Sequence, residues 1–542
     1  MMNVPLRVTA MMEHAEAFFP KKTVISRTAS GIRKFTYREI ANRTRRLSSA
    51  LKKIGVQKGD KVGTLAWNHH RHLEAYFAIP GAEAVLHTIN IRLSPAHIAY
   101  IINHADDKVL LIDQDILPLI EKLKDEITGV KAFVLMTDEP ELPDSTLEPL
   151  YHYEKILEEG DPSFIFNPGI DENEPAGMCY TSATTGNPKG VVYTHRGIVL
   201  HSMALGLADG GSVSESDICM PVVPMFHVNA WGLPFAAVWF GTTQVLPGPQ
   251  FTPKLLAELI EREKVTITAG VPTIWLGLLK ELEEGNYDTG SLRYILCGGS
   301  AAPKGMIKAF ETRHNIPFAH AYGMTETSPL VIFSRIKSYQ EDLDYEEKLN
   351  IRAKQGYLVP GVEMKVKGAA GDVKWDGSEM GELLLRGNWI ADEYYGDENS
   401  TAFEDGWLHT GDVVTVDEEG TVKIVDRTKD LIKSGGEWIS SVDLENALIA
   451  HDDIYEAAVV AIPDPQWQER PVACVVLKDG AKGKVTKEDI KEYLKPQFAK
   501  WWIPDDVLFI EEIPKTSVGK FLKRALRDQV KDHYAGAQTL EK

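Results

Sequence analysis

The stretch Ser94–Asp113, "SPAHIAYIINHADDKVLLID", decides the fold class of this chain of 542 residues. Ser94 is a favourable N-cap and Pro95 suits the first helical turn, so the pattern predicts a helix that begins at Pro95. The apolar run Val109–Ile112 predicts a buried strand directly after it. A helix that leads into a buried strand is typical of α/β folds, in which ligands gather at the carboxyl ends of parallel strands.

The same alternation continues to about Val425, and "SLRYILCGGS" places a predicted strand, Tyr294–Cys297, before a glycine turn. From Gly381 the chain changes to short β segments such as "GELLLRG" and "TVKIVDR". After "DRTKD", the strand-like runs "AAVVAI" and "VACVVL" and the helix-like "KEDIKEYLKPQF" predict a second unit of the α+β class. We therefore predict two domains, 1–428 and 429–542.

Composition limits the function classes. The net charge of −19 argues against a nucleic-acid-binding protein, which needs clustered Lys and Arg. The 4 cysteines are scattered without a C-x-x-C pair, which disfavours disulfides and zinc and favours a reducing, cytoplasmic setting. The uncharged stretch between Asp217 and Lys254 contains several prolines and glycines, so we predict buried protein interior there and no membrane-spanning segment.

The loop "TSATTGNPKG", 181–190, follows an apolar strand-like run and combines hydroxyl groups, glycines and one lysine. These residues are Thr181, Ser182, Thr184, Thr185, Gly186, Lys189 and Gly190. The spacing is not that of the usual NTPase loop, because Lys189 is not followed by Ser or Thr. Small donors around one ammonium suit the β and γ phosphates of ATP. Taken alone, the loop is equally consistent with a flexible polar turn.

Further motifs follow in a fixed order. "AYGMTET", 321–327, supplies Tyr322, an aromatic ring that can stack on a base, and Glu326, a carboxylate suited to Mg²⁺. "GWLHTGD" supplies Asp412, which can accept both hydroxyls of a ribose. "DRTKDLIKSGGEWIS" supplies Arg427, and "PKTSVGK" supplies Lys520. Each of these charged residues alone is typical of a protein surface, whereas the ordered set indicates a nucleotide site.

The sequence resembles the adenylate-forming superfamily of acyl-CoA synthetases, nonribosomal peptide synthetase adenylation domains and beetle luciferase over nearly the whole chain. "PMFHVNAWGLPF", followed by "VLPGP" and later by "SGGEWIS", is similar to the branch that activates medium-chain and long-chain fatty acids. The resemblance implies an α/β fold. It consists of a large N-terminal domain of α/β subdomains plus a distorted β-barrel, and a small, mobile α+β C-terminal domain.

The resemblance also implies roles for individual residues. Thr184 and Glu326 match the Mg²⁺-ATP positions. The other nucleotide positions are Thr181, Ser182, Thr185, Gly186, Gly299, Ser300, Ala301, Tyr322, Gly323, Met324, Thr325, Asp412 and Arg427. The remaining roles are Lys520 as catalytic lysine, Lys189 on the departing pyrophosphate, His227 at the acyl entrance, Trp231 as substrate gate and Lys429 as hinge. Two departures from the family pattern are Ala183, where Gly is common, and Trp438, where Arg is common.

These residues imply an enzyme that uses ATP, Mg²⁺ and coenzyme A to convert a carboxylic acid to acyl-AMP and then to acyl-CoA. Residues 481–530 contain 11 Lys and Arg against 8 Asp and Glu, a net charge of +3 that suits the phosphates of coenzyme A. Alternatives are the same ligase chemistry on a short alkylthio or aryl acid, a luciferase-like monooxygenase, and a non-enzymatic nucleotide-binding regulator. A homodimer is left open.

Overall fold

The computed structural model describes residues 1–181, 187–368, 370–397, 400–435, 437–516 and 519–540, with side chains as far as 531. Helices alternate with strands as far as Arg352, about two-thirds of the chain, and the described elements between Tyr357 and Arg427 are all strands, so the alternation ends before the predicted Val425. The helices are Val8–Phe18, Tyr37–Lys53, His70–Gly81, Pro95–Ala105, Leu117–Leu123, Tyr153–Glu159, His195–Gly206, Leu233–Trp239, Pro253–Glu263, Pro272–Glu284, Lys304–His314 and Tyr345–Arg352, followed by Ser441–Ile449, Lys487–Leu494 and Lys523–Leu540.

The strands of the first α/β part are β1 Thr23–Thr28, β2 Gly31–Thr36, β3 Lys61–Leu65, β4 Val85–Thr88, β5 Asp107–Asp113, β6 Ala132–Met136, β7 Leu150–His152, β8 Pro175–Tyr180, β9 Gly190–Thr194, β10 Ile218–Pro221, β11 Thr243–Leu246, β12 Ile267–Gly270, β13 Tyr294–Cys297, β14 Phe318–Gly323, β15 Leu330–Phe333 and β16 Tyr357–Leu358. Those that follow are β17 Val362–Gly368, β18 Gly371–Asp372, β19 Gly381–Gly387, β20 Phe403–Glu404, β21 Trp407–Val416, β22 Val422–Arg427, β23 Ile432–Ser434, β24 Glu437–Ile439, β25 Ile454–Asp464, β26 Gln468–Leu477 and β27 Asp506–Phe509.

These strands form four sheets. A nine-stranded sheet has the order β16-β15-β14-β13-β12-β10-β11-β1-β2, and a seven-stranded sheet has the order β7-β6-β5-β3-β4-β8-β9. Strands β14, β13, β12, β10, β11 and β1 run parallel. A six-stranded antiparallel sheet has the order β18-β17-β19-β21-β20 with β22 on β21, and a five-stranded sheet has the order β24-β23-β26-β25 with β27 on β26.

The local predictions agree with this architecture. Ser94 caps the helix Pro95–Ala105 by accepting from the His97 N–H, and β5 follows immediately. The segment 381–427 is antiparallel β structure, and the chain after residue 430 forms a separate α+β sheet. Arg427 ends β22 and Ile432 begins β23, so the boundary predicted at 428/429 lies between two sheets; its role as a domain boundary stays a prediction.

The uncharged stretch after Asp217 lies inside the protein. Helix Leu233–Trp239 packs between helices Val8–Phe18 and His195–Gly206, and the Phe235 ring lies 5.0 Å from Tyr76. Among the described residues, no helix is both long and apolar enough to cross a membrane. All four cysteines are buried and unpaired. The segment before helix Leu233–Trp239 follows β10, and its residues His227, Val228 and Trp231 line the candidate site.

Candidate active site

Two adjoining cavities of about 310 Å³ and 320 Å³ lie at the carboxyl ends of the parallel strands β10, β12, β13 and β14. This is the edge at which α/β sheets place their ligands, because each strand there ends in a loop whose backbone groups are free. Their walls include nearly all the predicted site residues that the structure describes. These are Thr181, Lys189, His227, Trp231, Gly299, Ser300, Ala301, Tyr322, Gly323, Met324, Thr325, Glu326, Asp412, Arg427, Lys429 and Lys520.

The middle of the predicted phosphate loop is not among the residues that the structure describes. Ser182, Ala183, Thr184, Thr185 and Gly186 lie outside the described residues. The two ends of the loop are joined by hydrogen bonds from the Thr181 N–H to the Lys189 carbonyl at 2.9 Å and from the Lys189 N–H to the Thr181 hydroxyl at 3.1 Å. The loop therefore starts and ends at one point of the cavity wall.

Two glycines let the backbone approach the site closely. Gly299 follows β13 with a φ of +83°, and a Cβ there would lie 3.3 Å from Lys520 Cε. A Cβ on Gly323 would lie 1.9 Å from the Pro329 carbonyl oxygen, so only glycine fits at the end of β14. The bare backbone of Gly299 therefore forms the surface over which the Lys520 side chain extends into the cavity.

Lys520 reaches the cavity from the C-terminal part of the chain. Its backbone is fixed by a hydrogen bond from the Lys520 N–H to the Thr516 hydroxyl at 3.1 Å. Burial, reinforced by the nearby Arg427, lowers the pKa of Lys520 to about 8, while Asp412 and Glu326 oppose the shift. The ammonium is therefore poorly solvated and available to an anion in the cavity.

A hydrogen-bonded cluster joins three predicted nucleotide residues. Asp412 on β21 lies opposite Arg427 on β22 in the strand register, and Arg427 Nε lies 3.1 Å from Asp412 Oδ1. The Tyr322 hydroxyl donates to Asp412 Oδ2 at 2.6 Å. This bond fixes the orientation of the Tyr322 ring, which suits a surface for a flat base beside a carboxylate that can accept from a ribose.

Glu326 lies in a short 3-10 turn, Thr325–Thr327, at the inner end of the cavity. It is 5% exposed, and the Tyr394 hydroxyl donates to its Oε1 at 2.6 Å. Burial raises the pKa of this carboxyl group. The positive charge of Arg427 opposes this shift, and a bound cation would oppose it further.

The number of carboxylates around Glu326 fits a magnesium site. The described residues contain no group of three or more His, Cys, Asp or Glu side chains able to hold a metal by themselves. Mg²⁺ commonly binds one or two protein carboxylates and keeps waters or phosphate oxygens as its other ligands. A single buried carboxylate suits this mode, whereas it would not suit zinc.

The segment before helix Leu233–Trp239 has an unusual backbone. The φ angles of Val228, Asn229, Ala230 and Trp231 are 44°, 51°, 48° and 60°, and Gly232 continues at 74°. A left-handed conformation costs roughly 1–2 kcal/mol for each residue that has a side chain. Such strain is often found at functional sites, where surrounding packing maintains it. The sequence gives no signal for this turn, because Val and Trp rarely adopt it.

The left-handed turn directs the Trp231 ring against the glycine loop that follows β13. A Cβ on Gly298 would lie 3.2 Å from Trp231 Cη2, so the indole packs directly on bare backbone. His227 precedes the turn, and burial together with the Lys520 charge lowers its pKa to about 3. His227 is therefore a neutral imidazole at physiological pH. The predicted gate and entrance roles of Trp231 and His227 stay predictions.

Other polar residues around the site were not found from the sequence. Tyr394 and Asp397 contact Glu326 and Lys189 from a turn with no recognisable binding motif. Lys523 Nζ lies 2.7 Å from Glu445 Oε1, and the Ser441 N–H donates to Asp426 Oδ2 at 2.8 Å. These contacts join the start of the last helix to helix Ser441–Ile449 and to β22.

Trp438, noted in the sequence as a departure from the family pattern, lines neither cavity. It is 39% exposed on β24, and the Lys433 ammonium lies 4.8 Å from its ring centre.

The positively charged segment 481–530 contributes Lys520, Lys523, Arg524 and Arg527 to the second cavity. Its predicted role toward coenzyme A stays a prediction.

Two family models match the sequence. The model described as AMP-binding enzyme matches residues 12–395, and the model described as AMP-binding enzyme C-terminal domain matches residues 443–520. The chain belongs to the AMP-binding enzymes, the adenylate-forming superfamily that the sequence motifs indicate.

Several CoA ligases are similar to this chain along nearly its whole length. The chain is 52% identical over 544 residues to a long-chain-fatty-acid–CoA ligase of Thermus thermophilus, covering 99% of this chain and 98% of the relative. It is 43% identical over 538 residues to a 3-methylmercaptopropionyl-CoA ligase of Ruegeria lacuscaerulensis, with 99% of each covered. Among solved structures, the anthranilate CoA ligase AuaEII in complex with anthranoyl-AMP superposes with a TM-score of 0.87 at 25% identity, covering 98% of this chain and 99% of that one.

Proposed function

We propose that this chain is an AMP-forming acid–CoA ligase that activates a medium-chain or long-chain fatty acid. The observation that carries the proposal is the position of Lys520, whose side chain extends over Gly299 into a cavity that also contains Glu326, Lys189 and Trp231. One cavity thus brings together an ammonium for the reacting phosphate, groups for the departing phosphates, and an apolar wall. The 52% identity to a long-chain-fatty-acid–CoA ligase over nearly the whole chain supports the substrate class.

The first half-reaction needs charge and positioning more than a nucleophilic side chain. A carboxylate oxygen of the acid attacks the α phosphorus of ATP, and the bond from that phosphorus to the bridging oxygen breaks as pyrophosphate leaves. We propose that the Lys520 ammonium offsets charge on the acid and the α phosphate during this transfer. We propose that Lys189 holds the departing pyrophosphate.

Magnesium belongs to the proposal through Glu326, which would hold the ion together with waters and phosphate oxygens. When bound, Mg²⁺ supplies positive charge that neutralises the β and γ phosphates. Asp412 and Arg427 orient the ribose, and Tyr322 provides the flat surface for adenine. Thr184 is proposed as a further ligand on the basis of the family resemblance alone.

In the second half-reaction the thiol of coenzyme A loses its proton and attacks the acyl carbon. The carbon–sulfur bond forms, the bond from that carbon to the phosphate oxygen breaks, and AMP leaves. Lys520 approaches the same region of the cavity, so it has to move aside before the thiol can enter. We propose that the C-terminal domain, 429–542, turns about Lys429 to allow this.

Four buried, unpaired cysteines suit a reducing compartment, and we propose the cytoplasm.

A short alkylthio acid is the second candidate substrate, because a 3-methylmercaptopropionyl-CoA ligase is 43% identical along the whole chain. The test measures acid-dependent pyrophosphate release and CoA thioester formation over a panel from acetate through 3-methylmercaptopropionate and benzoate to palmitate. The proposal predicts the highest kcat/KM for acids of about eight carbons or more. Highest activity at butyrate or shorter, or on the alkylthio acid, would overturn the fatty-acid assignment. Acid-dependent light emission without thioester would indicate a luciferase-like monooxygenase instead.

A further inference from the structure

The turn Tyr394–Asp397, which we call the phosphate-side turn, contacts the active site at three points. The Asp397 N–H donates to the Tyr394 carbonyl at 3.0 Å, and Gly396 adopts a φ of +71°, so the turn is tight. The Tyr395 N–H donates to the Gly190 carbonyl at 2.9 Å. The turn is therefore attached to the end of the predicted phosphate loop, and none of its residues has a role in the function proposed above.

Tyr394 contacts both Lys189, which is assigned to the departing phosphates, and Glu326, which is assigned to Mg²⁺. Its hydroxyl donates to Glu326 Oε1 at 2.6 Å, and its ring centre lies 4.5 Å from the Lys189 ammonium. The ring is buried at 8% exposure. One buried side chain thus contacts both the carboxylate and the ammonium.

Asp397 contacts the other side of the same ammonium. Its Oδ2 lies 3.4 Å from Lys189 Nζ, and the two side chains are 44% and 48% exposed. An exposed ion pair of this kind contributes about 1 kcal/mol or less, because water competes for both charges. A polyphosphate with several negative charges can replace such a weak partner.

We propose that Asp397 is a counter-ion that holds Lys189 at the cavity wall until the phosphates of a nucleoside triphosphate displace it, while Tyr394 positions Lys189 and Glu326 relative to each other. The inference rests on the proposed function, because it takes Lys189 as the phosphate-binding cation. Lys189 then exchanges one anionic partner for another when ATP binds and regains Asp397 when pyrophosphate leaves.

The two side chains therefore have opposite effects on ATP binding. Asp397 competes with the phosphates for Lys189, so removing its charge strengthens binding. Tyr394 supports the ammonium in both states, so removing its ring weakens binding. A purely structural role for the turn would give weaker binding in both cases.

The test measures the equilibrium dissociation constant of ATP by calorimetry in EDTA, where no Mg²⁺ contributes. Asp397→Asn is compared with Glu393→Gln, which removes the same charge from an exposed position on the same segment. We expect Asp397→Asn to bind ATP about two- to fivefold more tightly than Glu393→Gln. A gain in affinity cannot arise from misfolding, so the result does not depend on the stability of the variant.

Two further variants divide the role of Tyr394. Tyr394→Phe keeps the ring and loses the hydroxyl, so metal-free ATP binding should stay within about twofold of wild type, while the Mg²⁺ concentration for half-maximal adenylation rises. Tyr394→Leu should also weaken metal-free ATP binding by about two- to fivefold. Equal affinity of Asp397→Asn and Glu393→Gln, or weaker binding by Asp397→Asn, would overturn the inference. If the wild type neither binds ATP nor releases pyrophosphate, the proposed function itself fails.

Discussion

Raising the pH through 8 should turn off the first half-reaction by removing the proton of Lys520. Burial and the nearby Arg427 lower the pKa of this lysine from 10.5 to about 8, against the opposing charges of Asp412 and Glu326. A lysine with a lowered pKa is positively charged only below that value. Adenylation that depends on the ammonium is therefore present below pH 8 and lost as the pH rises through it.

The size of the effect follows from the same shift. A pKa of about 8 in place of 10.5 corresponds to a cost of about 3 kcal/mol for the charged form of Lys520. With a pKa of about 8, roughly nine-tenths of Lys520 is protonated at pH 7 and roughly one-tenth at pH 9. The value of kcat/KM reports the free enzyme, so it should fall about tenfold over this interval.

The assay is pyrophosphate release at low ATP concentration between pH 6 and 9.5, without coenzyme A, so that ionisation of its thiol does not contribute. Lys520→Ala should lower adenylation by about 10²- to 10³-fold and largely spare thioester formation from supplied acyl-AMP. Lys520→Arg keeps its charge over the whole range, so its remaining activity should not fall above pH 8. Lys484→Ala, an exposed lysine of the same domain, is the control.

Three results would refute this reasoning. The first is a wild-type rate that is unchanged between pH 7 and 9. The second is a decline of the same shape in Lys520→Arg, which would assign the titration to another group. The third is equal loss of both half-reactions in Lys520→Ala, which would indicate that the lysine is structural.

The remaining predictions concern the left-handed turn. Trp231→Ala should leave a folded enzyme whose kcat/KM depends differently on acyl chain length and whose ATP and acid binding are less strongly coupled. If pyrophosphate release shows an unchanged chain-length profile, or if the variant does not fold, Trp231 is a core residue without a gating role. Gly232→Ala should destabilise the fold by about 2–4 kcal/mol, because a Cβ would lie 2.6 Å from His201 and the backbone is left-handed. Gly406→Ala is the control, because Gly406 has a φ of 73° and open space around it; it should lower the free energy of unfolding in urea by only about 1 kcal/mol. If the two variants lose equal stability, the contact with His201 is tolerated.

The sequence alone determined the helices and strands that depend on residues close together in the chain. The cap at Ser94, the proline after it and the apolar run before Asp113 predicted a helix and a strand that the structure contains. The order of the nucleotide motifs also followed from the sequence, because each combines glycines with a few polar residues at short spacing. The described residues of that set line two adjoining cavities.

The tertiary structure decided everything that depends on residues distant in the chain. Tyr394 donates to Glu326 across 68 positions, and Asp397 meets Lys189 across 208, yet neither partner carries a local signal for the other. The pKa of Lys520 depends on burial and on Arg427, which the lysine's own motif does not contain. The left-handed backbone at Val228–Trp231 opposes the local preference of its residues, so only packing around it can maintain it. Local preferences select helices and strands within a few residues, whereas charge, burial and strain at a site are set by what the fold brings within a few ångströms.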